Sequence, residues 1–127
     1  NPDCVIMFNY GKESRDIEGP FTIEKAKDVT WPTDILNSEV TPIRVPFETP
    51  QAFQGKTYEL GYEHCVSIVE KWFWKSDETL KPVENLSSMH QETMRLNGNF
   101  LLNVPPDTTG RIPEATVARL MELRKAL

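Results

Sequence analysis

Residues 97 to 113 read NGNFLLNVPPDTTGRIP, and this stretch decides the fold. Phe100-Leu101-Leu102-Asn103-Val104 is a short, almost continuous apolar run, too short for a helix and closed by Pro105-Pro106. Such a run predicts a strand buried on both faces, as in a parallel sheet. Asn97-Gly98 supplies a helix stop just before it. Asp107 to Gly110 is turn chemistry, and Pro113 suits the opening of a further helix. Upstream, Val83, Leu86, Met89, His90, Thr93 and Met94 recur at helical spacing from Pro82 through Arg95. Downstream, Val117, Leu120, Met121, Leu123 and Leu127 fall on one broad helical face. Residues 62–68 (YEHCVSI) suit another strand. The order strand, helix, strand, helix predicts βα units on a parallel sheet, an α/β fold.

The first half is less regular. Residues 4–9 (CVIMFN) predict a buried strand after a Pro-Asp turn. Residues 10–34 are polar and punctuated by Gly11, Gly19, Pro20 and Pro32, with a short helix expected from Thr22 to Asp28. Residues 40–48 (VTPIRVPFE) hold two prolines, so a strand there is irregular or at an edge. Residues 49–56 read as loop. These loops are long for so short a chain, which is commonly a mark of function. Neither an internal repeat nor a low-complexity segment interrupts the pattern.

The chain has 127 residues, enough for one domain over 1–127. With 39% hydrophobic and 26% charged residues, a packed core is expected. The net charge of -5 supplies no basic surplus to displace counterions from a phosphate backbone, so no nucleic-acid partner is expected. No apolar run reaches the length of a membrane span, and no signal peptide opens the chain. It begins Asn1-Pro2-Asp3 and runs directly into an apolar strand, which predicts a join inside a domain. Cys4 and Cys65 both sit in apolar surroundings and are expected to be buried free thiols. Zinc spacing, Gly-rich phosphate loops and nucleophile elbows are all missing, so neither a metal nor a cofactor is expected.

Carboxylates dominate the polar inventory: Glu18 in a loop, Glu39 and Glu48 flanking the proline-rich segment, and Glu63 inside an otherwise apolar or aromatic strand. Glycoside hydrolysis needs two carboxyl groups, one to protonate the leaving oxygen and one to attack or stabilise the anomeric carbon. A donor must keep its proton near neutrality, and an apolar, aromatic setting favours that. Glu63, with Trp72-Phe73-Trp74 close behind, fits that setting best; the alternative is an ion pair with Arg or Lys at a strand edge. Trp72 and Trp74 suit stacking on a pyranose or core packing, whereas Phe73 reads as core. His64 should face away from Glu63 and reaches a substrate only if the strand has ended there. His90 reads as a hydrogen-bonded boundary histidine. Asn103 stands at the C-terminal end of a strand, where it lines a site or ties down the next loop.

The Asn97–Pro113 tract resembles the "GNxLLNxxPDxxGxI" signature of family 29 glycoside hydrolases, the α-L-fucosidases. Glu63-His64-Cys65-Val66-Ser67-Ile68, followed by Trp72-Phe73-Trp74, is similar to that family's "E-x-C-x-S-I … W" segment. Trp31-Pro32-Thr33-Asp34 and the Pro-Asp opening resemble bacterial members. The resemblance implies the C-terminal part of a (β/α)8 TIM-like barrel, incomplete as given, since about four strands are expected and a barrel needs about twice that. It implies a retaining mechanism on fucosylated oligosaccharides or glycoconjugates, with an Asp nucleophile upstream of Asn1 and the N-terminal part of the barrel as partner. Glu63 is then the first candidate acid/base and Glu18 the second, with Trp72, Trp74, His64 and Asn103 binding substrate. An extracytoplasmic location is also implied. The alternatives are a same-fold glycosidase for another sugar, or a non-catalytic carbohydrate-binding or structural piece.

Overall fold

A computed structural model of the chain describes residues 3–9, 33–39 and 50–127. The helix expected from Thr22 to Asp28, the segment 40–48, Glu18, Glu48 and the Trp31-Pro32 motif lie outside the described residues.

Four strands form one parallel sheet: β1 (Met7–Asn9), β2 (Ile35–Glu39), β5 (Gly61–Ser67) and β6 (Asn99–Asn103), side by side in that order. Between β2 and β5 lies an antiparallel hairpin, β3 (Gln51–Phe53) and β4 (Lys56–Tyr58). Its turn residues Gln54 and Gly55 both have positive φ, 48° and 75°, as a two-residue hairpin turn demands. Residues 49–56 are thus not simply loop. Helix α1 (Val83–Arg95) links β5 to β6, and α2 (Glu114–Ala126) closes the chain. Both helices begin immediately after a proline in extended conformation, Pro82 and Pro113. α1 ends as expected, but Asn97 rather than Gly98 takes the left-handed conformation (φ 55°). Gly98 N–H then bonds Thr93 C=O at 3.0 Å and Asn97 N–H bonds Met94 C=O at 2.9 Å, the paired bonds of a Schellman stop.

Alternation along the strands sorts side chains onto two faces. On one face Ile68, Val69, Leu86 and Leu123 form the buried core, with Leu80, Val83, Leu102, Val104 and Leu120 packed around it. Burying side chains of this size contributes about 1.5–3 kcal/mol each. His64 belongs to this helix-covered face, as does Phe100, which meets the rings of His64 and His90 edge-on. Among the described residues no helix covers the other face, which carries Asn37, Glu63, Cys65, Ser67, Asn99, Leu101 and Asn103.

Four expectations about burial are corrected. Val5, Ile6 and Met7 are exposed, since among the described residues β1 pairs with β2 alone. Among the described residues β6 is likewise paired on one side, and Leu101 on its open face is 44% exposed. On α2 only Thr116 and Leu123 are buried, while Val117, Met121 and Leu127 point outward. Both cysteines are free, but Cys4 is exposed and Cys65 buried.

Candidate active site

All four strands run the same way, so the loops leaving their C-terminal ends gather at one edge of the sheet. In α/β folds built from parallel strands, sites lie at that edge. The best-described loop there follows β5. Ile68 to Lys81 double back on themselves: Val69 bridges Leu80, Glu70 N–H bonds Thr79 C=O at 2.9 Å, and Lys81 N–H bonds Ile68 C=O at 2.8 Å. Trp72, Phe73 and Trp74 stand at the far end of this loop. Trp72 and Trp74 are half-buried. Phe73 is 75% exposed, correcting its assignment to the core; it lies beyond the strand end, where no described element packs over it.

Asn103, the last residue of β6, sits opposite Ser67, the last of β5. Its Nδ2 donates to Ser67 Oγ at 3.2 Å and to the Trp72 carbonyl at 2.7 Å. Its backbone carbonyl accepts from Ile68 N–H at 2.9 Å. The structure thus brings together Asn103, Ser67 and the tryptophan loop, and shows Asn103 tying that loop down.

Glu63 lies elsewhere. It is the third residue of β5, four residues short of the strand end, or about 13 Å at the usual rise. One row crosses three strands here: Asn37 on β2, Glu63 on β5 and Asn99 on β6 stand in register. Asn37 Nδ2 donates to Glu63 Oε1 at 2.8 Å, and Asn99 Nδ2 donates to Oε2 at 2.7 Å. No lysine or arginine is bridged to it among the described residues. Two amides therefore take the place of the ion-pair partner that residue type suggested.

The strand does not end at His64 but continues to Ser67, so the condition under which His64 would touch substrate is not met. His64 is fully buried against α1. The Thr93 hydroxyl donates to Met89 C=O at 2.8 Å, so its oxygen accepts from His64 Nδ1–H at 3.1 Å. In this structure His64 is part of the packing between β5 and α1. Cys65, one residue on, faces the open side; burial first, then the Glu39 and Glu63 carboxylates, push its thiol up from the ordinary range.

The loop after β6 adds a rigid corner on the same edge. Asp107 Oδ1 accepts from Thr109 N–H at 2.8 Å, the Thr109 hydroxyl at 2.7 Å and Arg111 N–H at 3.1 Å. The Thr109 hydroxyl bond, followed by the two backbone bonds, holds the Asp107 carboxyl below the usual carboxylate range. Gly110, with φ 81°, closes the turn. Among the described residues no three histidine, cysteine or carboxylate side chains gather as a metal site would require. No described helix is long and apolar enough to cross a membrane.

Residues 30–127 match the family model for α-L-fucosidase. The chain is similar to α-L-fucosidase 1 of Arabidopsis thaliana, 40% identical over 57 residues, which covers 45% of this chain and 11% of that protein. It is 28% identical to the α-L-fucosidase of Dictyostelium discoideum over 127 residues, covering 95% of this chain and 27% of that one. Among solved structures it resembles a family 29 fucosidase from Ruminococcus gnavus in complex with fucose. That likeness has a TM-score of 0.52 and 31% identity, over 57% of this chain and 15% of that one. The chain thus spans between about a tenth and about a quarter of the length of these curated relatives. On the match over residues 30–127, it belongs to the α-L-fucosidase family.

Proposed function

We propose that this chain is part of the catalytic (β/α)8 barrel of a retaining α-L-fucosidase and forms one wall of its fucose site. The observation that carries this reading is the sheet itself. Strands β1, β2, β5 and β6 are added in one direction without reversal, with helices on one face only among the described residues. That is how a barrel grows; a doubly wound sheet reverses its order and covers both faces. The open face then belongs to the barrel interior, and the edge that holds Asn103, Ser67 and the Trp72–Trp74 loop is the catalytic end. The fucose complex of the Ruminococcus gnavus relative supports fucosylated oligosaccharides or glycoconjugates as substrates.

A retaining mechanism uses a nucleophilic carboxylate and a second carboxyl that acts first as acid and then as base. In this reading a strand earlier in the barrel supplies the nucleophile as an Asp. For the acid/base we propose Glu18 ahead of Glu63. Both oxygens of Glu63 already accept amide hydrogens, and it sits in the N-terminal half of its strand, away from the catalytic end. Glu18 follows β1, whose chain leaves the sheet at the catalytic end.

The test is hydrolysis of an aryl α-L-fucoside by the full-length polypeptide, with product stereochemistry followed by NMR. Release of α-fucose first, and loss of activity in Glu18→Gln that azide restores, support the reading. Release of β-fucose first sinks the retaining mechanism. Full activity in Glu18→Gln sinks the acid/base assignment.

A further inference from the structure

We propose that Asn103 is a positioning residue that clamps the aromatic loop over the catalytic end, and that it acts through the loop instead of touching the sugar. This rests on the fucosidase reading of that edge and names how its tryptophans are held. A side-chain amide has two N–H donors. Both are spent here, one on Ser67 Oγ and one on the Trp72 carbonyl. What the amide holds is the backbone of the residue that carries the first indole. The Ser67 hydroxyl oxygen in turn accepts from Val69 N–H at 3.4 Å, so the clamp continues into the base of the same loop.

The base is fastened a second time from the helix side. Lys81 Nζ donates to the Val69 carbonyl, and Arg119 of α2 donates to the Lys81 carbonyl. Arg119 is itself paired with Glu122 at 2.8 Å. Near the tip, Glu78 Oε1 accepts from Lys71 N–H at 3.1 Å and Thr79 N–H at 3.3 Å. The loop is therefore braced at its base, across its width and, through Asn103, from the sheet to its tip. Braced in this way, Trp72 and Trp74 meet a sugar as preformed surfaces, with less ordering entropy lost on binding.

Asn103→Asp tests this, because it keeps the shape and removes both donors. Hydrogen exchange of the full-length polypeptide reads the loop directly. The amides of residues 69–81 should exchange about tenfold faster, the scale expected from losing one or two net hydrogen bonds, while those of α1 keep their rates. With an aryl α-L-fucoside, kcat/KM should fall about ten- to a hundredfold, mostly through KM. Ser67→Ala, which removes one acceptor and leaves the Trp72 bond, should show the same pattern more weakly, and serves if Asn103→Asp does not fold. Unchanged exchange in the loop, or acceleration spread equally over α1, overturns the clamp. Loss confined to kcat overturns it as well, since that points to direct contact with the reacting sugar. If the unsubstituted protein cleaves no fucoside, the enzymatic reading falls, and the exchange experiment still judges the clamp.

Discussion

Replacing Glu63 separates a structural carboxylate from a catalytic one. The Asn37–Glu63–Asn99 row contributes two amide-to-carboxylate bonds, at 2.8 and 2.7 Å. Hydrogen bonds to charged groups are worth about 1.5–3 kcal/mol each. Asn37 is buried and Asn99 exposed, which makes the two bonds unequal. In Glu63→Ala, water can reach Asn99, but the Asn37 amide is left buried without its acceptor. The expected loss is about 3–4 kcal/mol, one charged bond plus the desolvation of a stranded donor. In Glu63→Gln the new carbonyl still serves Asn37, and the new NH2 faces Asn99, whose exposed amide is free to turn its oxygen round. Only charge assistance is lost, about 1 kcal/mol. Urea midpoints of the full-length polypeptide at neutral pH, at constant slope, give both numbers. Equal costs for the two variants, or a Glu63→Ala cost under about 0.5 kcal/mol, would contradict the row's structural role. So would the kinetic outcome of a hundredfold or greater loss in Glu63→Gln, restored by azide at unchanged stability, since that is the behaviour of a general acid/base.

Gly98→Ala should cost about 2–3 kcal/mol: its Cβ would lie 2.5 Å from Tyr62 Cδ1, and that ring is pinned by the 2.8 Å bond between Tyr62 and Ser38 hydroxyls. Placing the same change in a Tyr62→Ala background should lower the cost while leaving the contacts with Thr93 Cγ2 at 3.0 Å and Thr93 C=O at 3.2 Å, and an unchanged cost would refute the steric account. Asp107 has a lowered pKa in the fold, so its contribution is present above the unfolded value of 3.8 and is lost as pH falls through the folded value. The urea midpoints of wild type and Asp107→Ala should therefore differ at pH 6 and converge below pH 3.8; a gap that widens on acidification contradicts the assignment. Iodoacetamide should label exposed Cys4 well before buried Cys65, as read by mass spectrometry, and equal rates would show that Cys65 is accessible.

The second half of the fold was legible because its signals are local and agree. The β5, α1, β6, α2 series follows hydrophobic period, proline starts and the Asn97-Gly98 stop, and each lies within two residues of its expected bounds. The β3–β4 hairpin was not legible. Its strands are three residues each, and its turn carries Gln54 where Asn or Asp usually signals positive φ. Burial at the edges was misread for a different reason. Residues 4–9 and 100–104 are apolar at nearly every position, as strands covered on both faces are, yet among the described residues each is paired once and only one face is covered by helices. Phe73 followed a composition argument that ignores where a loop leaves the sheet. By contrast, strict alternation from Glu63 puts His64 on the opposite face, where it is buried against α1.

The site half of the problem turns on two rows of the open face that use the same chemistry to opposite ends. Asn37, Glu63 and Asn99 cross the N-terminal half of the strands, and their carboxylate and amides are spent on one another. Ser67 and Asn103 form the last row at the C-terminal end, and their bonds leave the sheet for a loop bearing three aromatic side chains. Between them Cys65 stands in register with Leu101 on β6 and with Glu39 on β2. A row closed on itself fixes register, since a one-residue slip would put Glu63 on the opposite face from both amides. A row that opens onto a loop transmits the rigidity of the sheet to whatever the loop presents. By sequence alone both rows are a polar residue in an apolar strand, and motif likeness favours Glu63. Only their places along the strands separate them: Glu63 stands in the N-terminal half of β5, and the tryptophan loop leaves its C-terminal end.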